Sequence, residues 1–181
     1  MQQIIDDLRQ LCGSAGVGGQ KAIADTAVSM LRPLVDRVET DAMGNVIGYI
    51  TCGNEDAPTI MLEAHMDEIG FLVTHIDDNG FISVIKNGGV DLKTLLGARV
   101  RILNSKGIIH GVIGKAPIHV ERRNNTEDKK IELSDIKIDC GFSSKEEALQ
   151  HISIGDCVVV DTDPMWLNEN RITGKALDDK V

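Results

Sequence analysis

Ile4, Ile5, Leu8, Leu11 and Cys12 recur at three- and four-residue intervals and predict an amphipathic helix at the start of the chain. The small residues from Ser14 to Gly19 predict a loop. A second helical pattern runs from about Gln20 to Leu34, with Ala22, Ile23, Ala27, Met30, Leu31 and Leu34 on its apolar side. Pro33 lies near its end, where a proline weakens or stops a helix. Val46–Thr51 and Thr59–Ala64 then read as strands around the polar Gly53-Asn54-Glu55-Asp56 turn. The second of these is apolar almost throughout, as expected of a central strand covered on both faces.

After Gly70 the texture becomes that of a β domain. Phe71–Ile76 and Phe81–Ile85 flank Asp77-Asp78-Asn79-Gly80, a hairpin signal because Asn-Gly accepts positive φ. Val100–Leu103 and Ile108–Ile113 flank Asn104-Ser105-Lys106-Gly107 in the same manner, and 136–140 and 158–161 add short strands. Short strands joined by Gly-containing turns suggest a small barrel or a sandwich. Ser144-Lys145-Glu146-Glu147 is a capping box ahead of Ala148 and Leu149 and predicts one interrupting helix. The charged stretch 122–130 reads as a surface loop, since Glu127 and Asp128 break its basic run.

Two segments carry candidate chemistry. His65 and Asp67 follow the apolar run Ile60-Met61-Leu62-Glu63-Ala64, and in an extended chain residues i and i+2 point to one side. They could act on one metal as ligand and orienting carboxylate, because a ligating imidazole usually gives its other ring N–H to a carboxylate. The bland alternative is a His–Asp pair closing a strand end. Near the end of the chain, Asp178 and Asp179 could hold a metal or a proton. Adjacent acids more often cap a helix, whose first turn carries free N–H groups and partial positive charge.

The string Met61-Leu62-Glu63-Ala64-His65-Met66-Asp67-Glu68-Ile69-Gly70-Phe71-Leu72-Val73 resembles the first metal motif of the M42 family of metallo-aminopeptidases. Gly174-Lys175-Ala176-Leu177-Asp178-Asp179-Lys180 resembles the family's second motif, and the turn at Asp41-Ala42-Met43-Gly44-Asn45 also fits. The resemblance covers essentially the whole chain but only the N-terminal half of a typical member. It implies that His65 is a ligand of one of two metal ions, that Asp67 orients and polarises His65 without binding metal, and that Asp178 bridges the two ions. The ions would be zinc or cobalt, with incomplete or no occupancy in this chain. The family further needs a Glu-Glu pair, another acid and a distal His, none of which can be placed here. His75, His110, His119 and His151 read as ordinary polar residues.

The expected fold class is therefore α/β. A peptidase α/β layer, over 1–69 and 164–181, is interrupted by an inserted small β-barrel-like domain over 70–163. The resemblance assigns that insert to dimerisation and to larger assemblies of dimers. The implied function is a metal-dependent aminopeptidase releasing N-terminal residues from peptides, present as an incomplete and by itself inactive chain. The alternative is a truncated, non-catalytic assembly or interaction protein. A glucanase built on paired acids is weaker, because a His-x-Asp strand end has no role in two-carboxylate glycoside hydrolysis.

Composition narrows the remaining choices. A formal charge of −9 argues against nucleic acid or an anionic membrane as partner. Aromatic residues make up 3%, so the core must be built from Ile, Val, Leu and Ala. No apolar run approaches membrane length, and no signal peptide is visible. Cys12, Cys52, Cys140 and Cys157 lack CxxC spacing and read as buried thiols in a reducing compartment, which suggests a cytoplasmic protein.

Overall fold

The computed structural model describes residues 2–14, 16–17, 21–54, 56–104, 106–115 and 131–177. The chain divides into two compact units. The first comprises the residues up to Glu68 together with those from Asp163 onward, and the second runs from Ile69 to Thr162. The fold class is α/β, with a closed barrel in the second unit.

In the first unit, α1 (Gln2–Gly13) buries Ile5, Leu8 and Cys12 along one stripe. Helix α2 (Lys21–Leu31) buries Ile23 and Ala24. It stops three residues before the periodicity does. Pro33 disfavours helical backbone at Arg32, and a turn follows in which Leu34 N–H donates to the Leu31 carbonyl at 2.8 Å. Strands β1 (Arg37–Thr40) and β2 (Val46–Tyr49) form an antiparallel hairpin. Its turn is built by Asp41, whose carboxylate accepts from Met43 N–H, Asn45 N–H and the Asn45 side chain at 2.8–2.9 Å.

The expected central strand over Thr59–Ala64 is a correction. No ladder among the described residues includes it, and Ile60, Met61 and Leu62 are exposed, Leu62 by 92%. Apolar character favours burial, but a strand also needs a neighbouring edge to take its N–H and C=O groups. Nothing described supplies that edge here.

The second unit closes through six antiparallel strands in the order β3-β4-β7-β6-β5-β8. They are β3 (Gly70–Ile76), β4 (Ile82–Asn87), β5 (Arg99–Asn104), β6 (Gly107–Lys115), β7 (Ile136–Asp139) and β8 (Cys157–Val160). Closure decides between the barrel and the sandwich and leaves no open edge in the ladder. Alternation sends Phe71, Val73, Val84, Val100, Ile102, Ile113, Ile138 and Val158 inward. The short helix α3 (Lys145–Leu149) adds Ala148 to this core, and Ser144 caps it by accepting from Glu147 N–H at 3.2 Å. The barrel core is thus aliphatic around a single buried Phe. The charged stretch 122–130 and His119 lie outside the described residues.

Strands β9 (Met165–Asn168) and β10 (Arg171–Thr173) form a second small hairpin in the first unit. The cysteines are free. Cys12 and Cys157 are buried, but Cys52 is exposed, which corrects the expectation of four buried thiols. No helix among the described residues is long and apolar enough to cross a membrane.

Candidate metal centre

His65 and Asp67 lie in a stretch of the first unit outside its helices and strands, and two residues apart their side chains meet. His65 Nδ1 is 3.0 Å from Asp67 Oδ1. Both side chains are open to solvent, 61% and 47% exposed. With the carboxylate on Nδ1, the ring is held with Nε2 as the nitrogen on which a metal would sit. The described donor set fits a divalent metal in this respect: an imidazole whose second nitrogen is engaged by an acid. Among the described residues no three His, Cys, Asp or Glu side chains cluster as a metal group. Asp178 and its neighbour Asp179 lie outside the described residues.

What anchors this stretch is Glu68. Its N–H donates to the Gly16 carbonyl at 3.0 Å, and Val17 and Glu68 form an isolated parallel bridge. Its side chain turns inward and meets Lys175, whose Nζ donates to Oε1 at 2.7 Å and to Oε2 at 2.6 Å. Glu68 is 3% exposed and Lys175 6%. Burying two charges is costly, and removing one partner of such a pair typically costs about 3–5 kcal/mol because the other charge is stranded.

Lys175 belongs to the second motif segment. Its carbonyl accepts from the Cys12 thiol at 3.4 Å. The preceding Gly174 packs where a Cβ would stand 2.8 Å from Pro164 Cα, so no side chain fits there. The following Ala176 has φ of 53°, a left-handed conformation that costs an L residue about 1–2 kcal/mol. Such strain persists where the surroundings over-determine the backbone.

The structure therefore brings together the segment carrying His65 and Asp67 and the segment leading to Asp178. The two residues that join them, Glu68 and Lys175, were not singled out by sequence reasoning. A signal existed: a carboxylate directly ahead of the apolar run Ile69-Gly70-Phe71-Leu72-Val73, and a lysine set among Gly, Ala and Leu. Of the remaining histidines, His75 is exposed, and His151 stacks on Phe142 with ring centroids 5.4 Å apart. His110 Nδ1 lies 3.3 Å from Asp161, which also meets Arg101 at 3.2 Å on the barrel.

Known proteins are similar to this chain in sequence and in structure. A lysyl aminopeptidase of Pyrococcus furiosus is 35% identical over 96% of this chain and 50% of its own length. The structure of aminopeptidase APDkam598 from Desulfurococcus kamchatkensis superposes with a TM-score of 0.88 at 39% identity, covering 97% of this chain and 48% of that one. The TET1 peptidase of Pyrococcus horikoshii, described as assembling into a tetrahedron or a large octahedral shell, matches with a TM-score of 0.84 at 34% identity, over 98% and 52%. The chain spans about half the length of the curated relatives it matches. Residues 44–181 match the model of the M42 glutamyl aminopeptidases, a range that takes in both motif segments, and the chain belongs to that family.

Proposed function

We propose that this chain contributes to a metal-dependent aminopeptidase that releases N-terminal residues from peptides. The observation that carries the reading is the 3.0 Å His65–Asp67 pair, set in the motif that the family model matches. His65 is the proposed ligand. Asp67 holds the proton on Nδ1 and fixes the tautomer. Asp178 is the proposed bridging carboxylate. When bound, two divalent ions such as zinc or cobalt would polarise the scissile carbonyl and lower the pKa of water towards neutrality. The exposure of the His65–Asp67 pair leaves room for substrate to approach from solvent.

Two ligands fall short of the four that zinc normally takes. On its own the 181-residue chain is expected to bind metal weakly and to show no measurable turnover. A chain extended to the length of its relatives is expected to hydrolyse amino-acid anilides. That activity should disappear with chelator, with His65→Ala and with Asp178→Ala. Turnover that survives His65→Ala would refute the site, and chelator-sensitive turnover by the 181-residue chain would refute its incompleteness.

The proposed partner besides peptide is a further copy of the chain, meeting through the barrel. Ile85, Ile108 and Val112 are exposed apolar residues on its strands, and the name of the TET1 relative describes assembly. The second reading, a non-catalytic assembly protein, draws on the contrast between a closed barrel and a 59–64 segment that joins no ladder among the described residues. In-frame coding sequence beyond residue 181 carrying a Glu-Glu pair and a distal His would favour the enzyme.

A further inference from the structure

We infer that the buried Glu68–Lys175 ion pair is a positioning device that sets the His65–Asp67 segment against the segment leading to Asp178. The inference rests on the metal-site reading above and assigns a role to two residues outside the ligand set. Glu68 and Lys175 are separated by 107 residues in sequence, and the pair makes two short contacts. Each partner is also tied by its backbone to the same stretch at the end of α1. Glu68 bonds Gly16 and bridges Val17, while the Lys175 carbonyl accepts from Cys12. The pair thus completes a closed circuit of contacts around that stretch.

A buried ion pair is often no more stabilising than a well-packed apolar pair, so stability alone is a poor account of it. What it supplies is register. Full satisfaction requires both carboxylate oxygens and the ammonium at one relative placement of the two segments. Glu68 is next to Asp67 in sequence and three residues from His65. Lys175 is three residues before Asp178 and directly precedes the left-handed Ala176. A slip of either segment would break the pair and move a proposed ligand.

The test uses the 181-residue chain and two readouts. Glu68→Gln and Lys175→Met each break the pair, Glu68→Asp weakens it without removing charge, and Glu68→Lys with Lys175→Glu reverses it. Amide hydrogen exchange is followed over 65–69 and 172–177. Each breaking variant should speed exchange in both segments by about tenfold or more, as expected when a local opening becomes easier. The reversed pair should restore much of the protection. Should a breaking variant fail to fold, Glu68→Asp carries the comparison with a smaller change of the same sign.

The second readout is paramagnetic broadening by added Mn²⁺, which detects weak binding. In the unaltered chain, amides of 65–67 and 174–177 should broaden at the same metal concentration, and His65→Ala should abolish both effects. The breaking variants should uncouple the two, and reversal should recouple them. Exchange that changes only in the mutated segment overturns the inference and leaves the metal reading standing. Absent broadening, or broadening indifferent to His65→Ala, overturns the metal reading and the positioning role with it.

Discussion

Replacing Asp67 by Asn removes one negative charge while keeping an oxygen that can accept from His65 Nδ1. The two side chains are 3.0 Å apart and both are well exposed. An exposed ion pair contributes about 0.2–1 kcal/mol to stability. Since the hydrogen bond survives in Asp67→Asn, the expected loss is about 0.5 kcal/mol or less, a fall of no more than about 4 °C in Tm for a unit of this size. The effect on metal should be far larger. Altering the carboxylate behind a ligating imidazole typically lowers metal affinity about 10–100-fold, or about 1.4–2.8 kcal/mol. The assay is a cobalt titration followed by visible absorption, on a chain extended to the length of its relatives, with melting curves alongside. The expected signature is weakened cobalt binding at nearly constant Tm, with His65→Ala removing much more affinity. Unchanged affinity in Asp67→Asn would refute the orienting role. A loss of several kcal/mol in stability would mean that the pair serves the fold.

Gly80 has φ of +85° and a Cβ there would stand 2.9 Å from the Phe142 carbonyl, whereas Gly97 has φ of +83° with open space. Gly97→Ala should therefore cost only the left-handed conformation, about 1–2 kcal/mol, and Gly80→Ala a further 1–3 kcal/mol or so for the clash; equal melting shifts would refute the contact argument. Burial, with a smaller contribution from Asp139, pushes the Cys140 thiol up to about 11. Iodoacetamide at pH 8 should label exposed Cys52 first, and the Cys140 rate should climb about tenfold per pH unit until that value, because the thiolate is the nucleophile. Hydrogen bonds from Asn45 hold the Asp41 carboxyl below its ordinary value. Its contribution to the β1–β2 turn should be present above about pH 4 and lost as pH falls through the lower folded value, seen as faster amide exchange at Met43 and Asn45. Light scattering of the chain should show association, a stable contact burying more than about 1,000 Å²; a strict monomer at high concentration would refute the barrel's proposed role.

The barrel strands were largely legible because their signals are local. Asp77–Gly80 reads as a turn from four residues, and alternation in Phe71–Ile76 and Val100–Leu103 marks the inward face. Closure was not legible, since it depends on β3 meeting β8 and β6 meeting β7, pairings that no local pattern encodes. Strands β1 and β9 escaped because they are short and mostly exposed, with little alternation to read. Thr59–Ala64 was misread for the opposite reason: apolar composition reports a wish to be buried, not the presence of a partner. The closeness of His65 and Asp67 follows from a spacing of two, while the meeting of Glu68 with Lys175 is a long-range event. Family resemblance drew attention to both segments but not to the pair that joins them.

The exposed run at Ile60–Leu62 has a consequence for how the protein behaves at concentration. Thr59–Ala64 combines apolar residues with a single charge, Glu63, and contains no proline. Exposed and without a ladder among the described residues, it is a template for self-recruitment, since a second such segment can dock at the about 4.8 Å spacing of a sheet. Glu63 is its lone gatekeeper, setting like charges against one another when copies stack in register. Solubility of the isolated chain should thus be sensitive to that carboxylate, and Glu63→Ala should raise light scattering at high protein concentration.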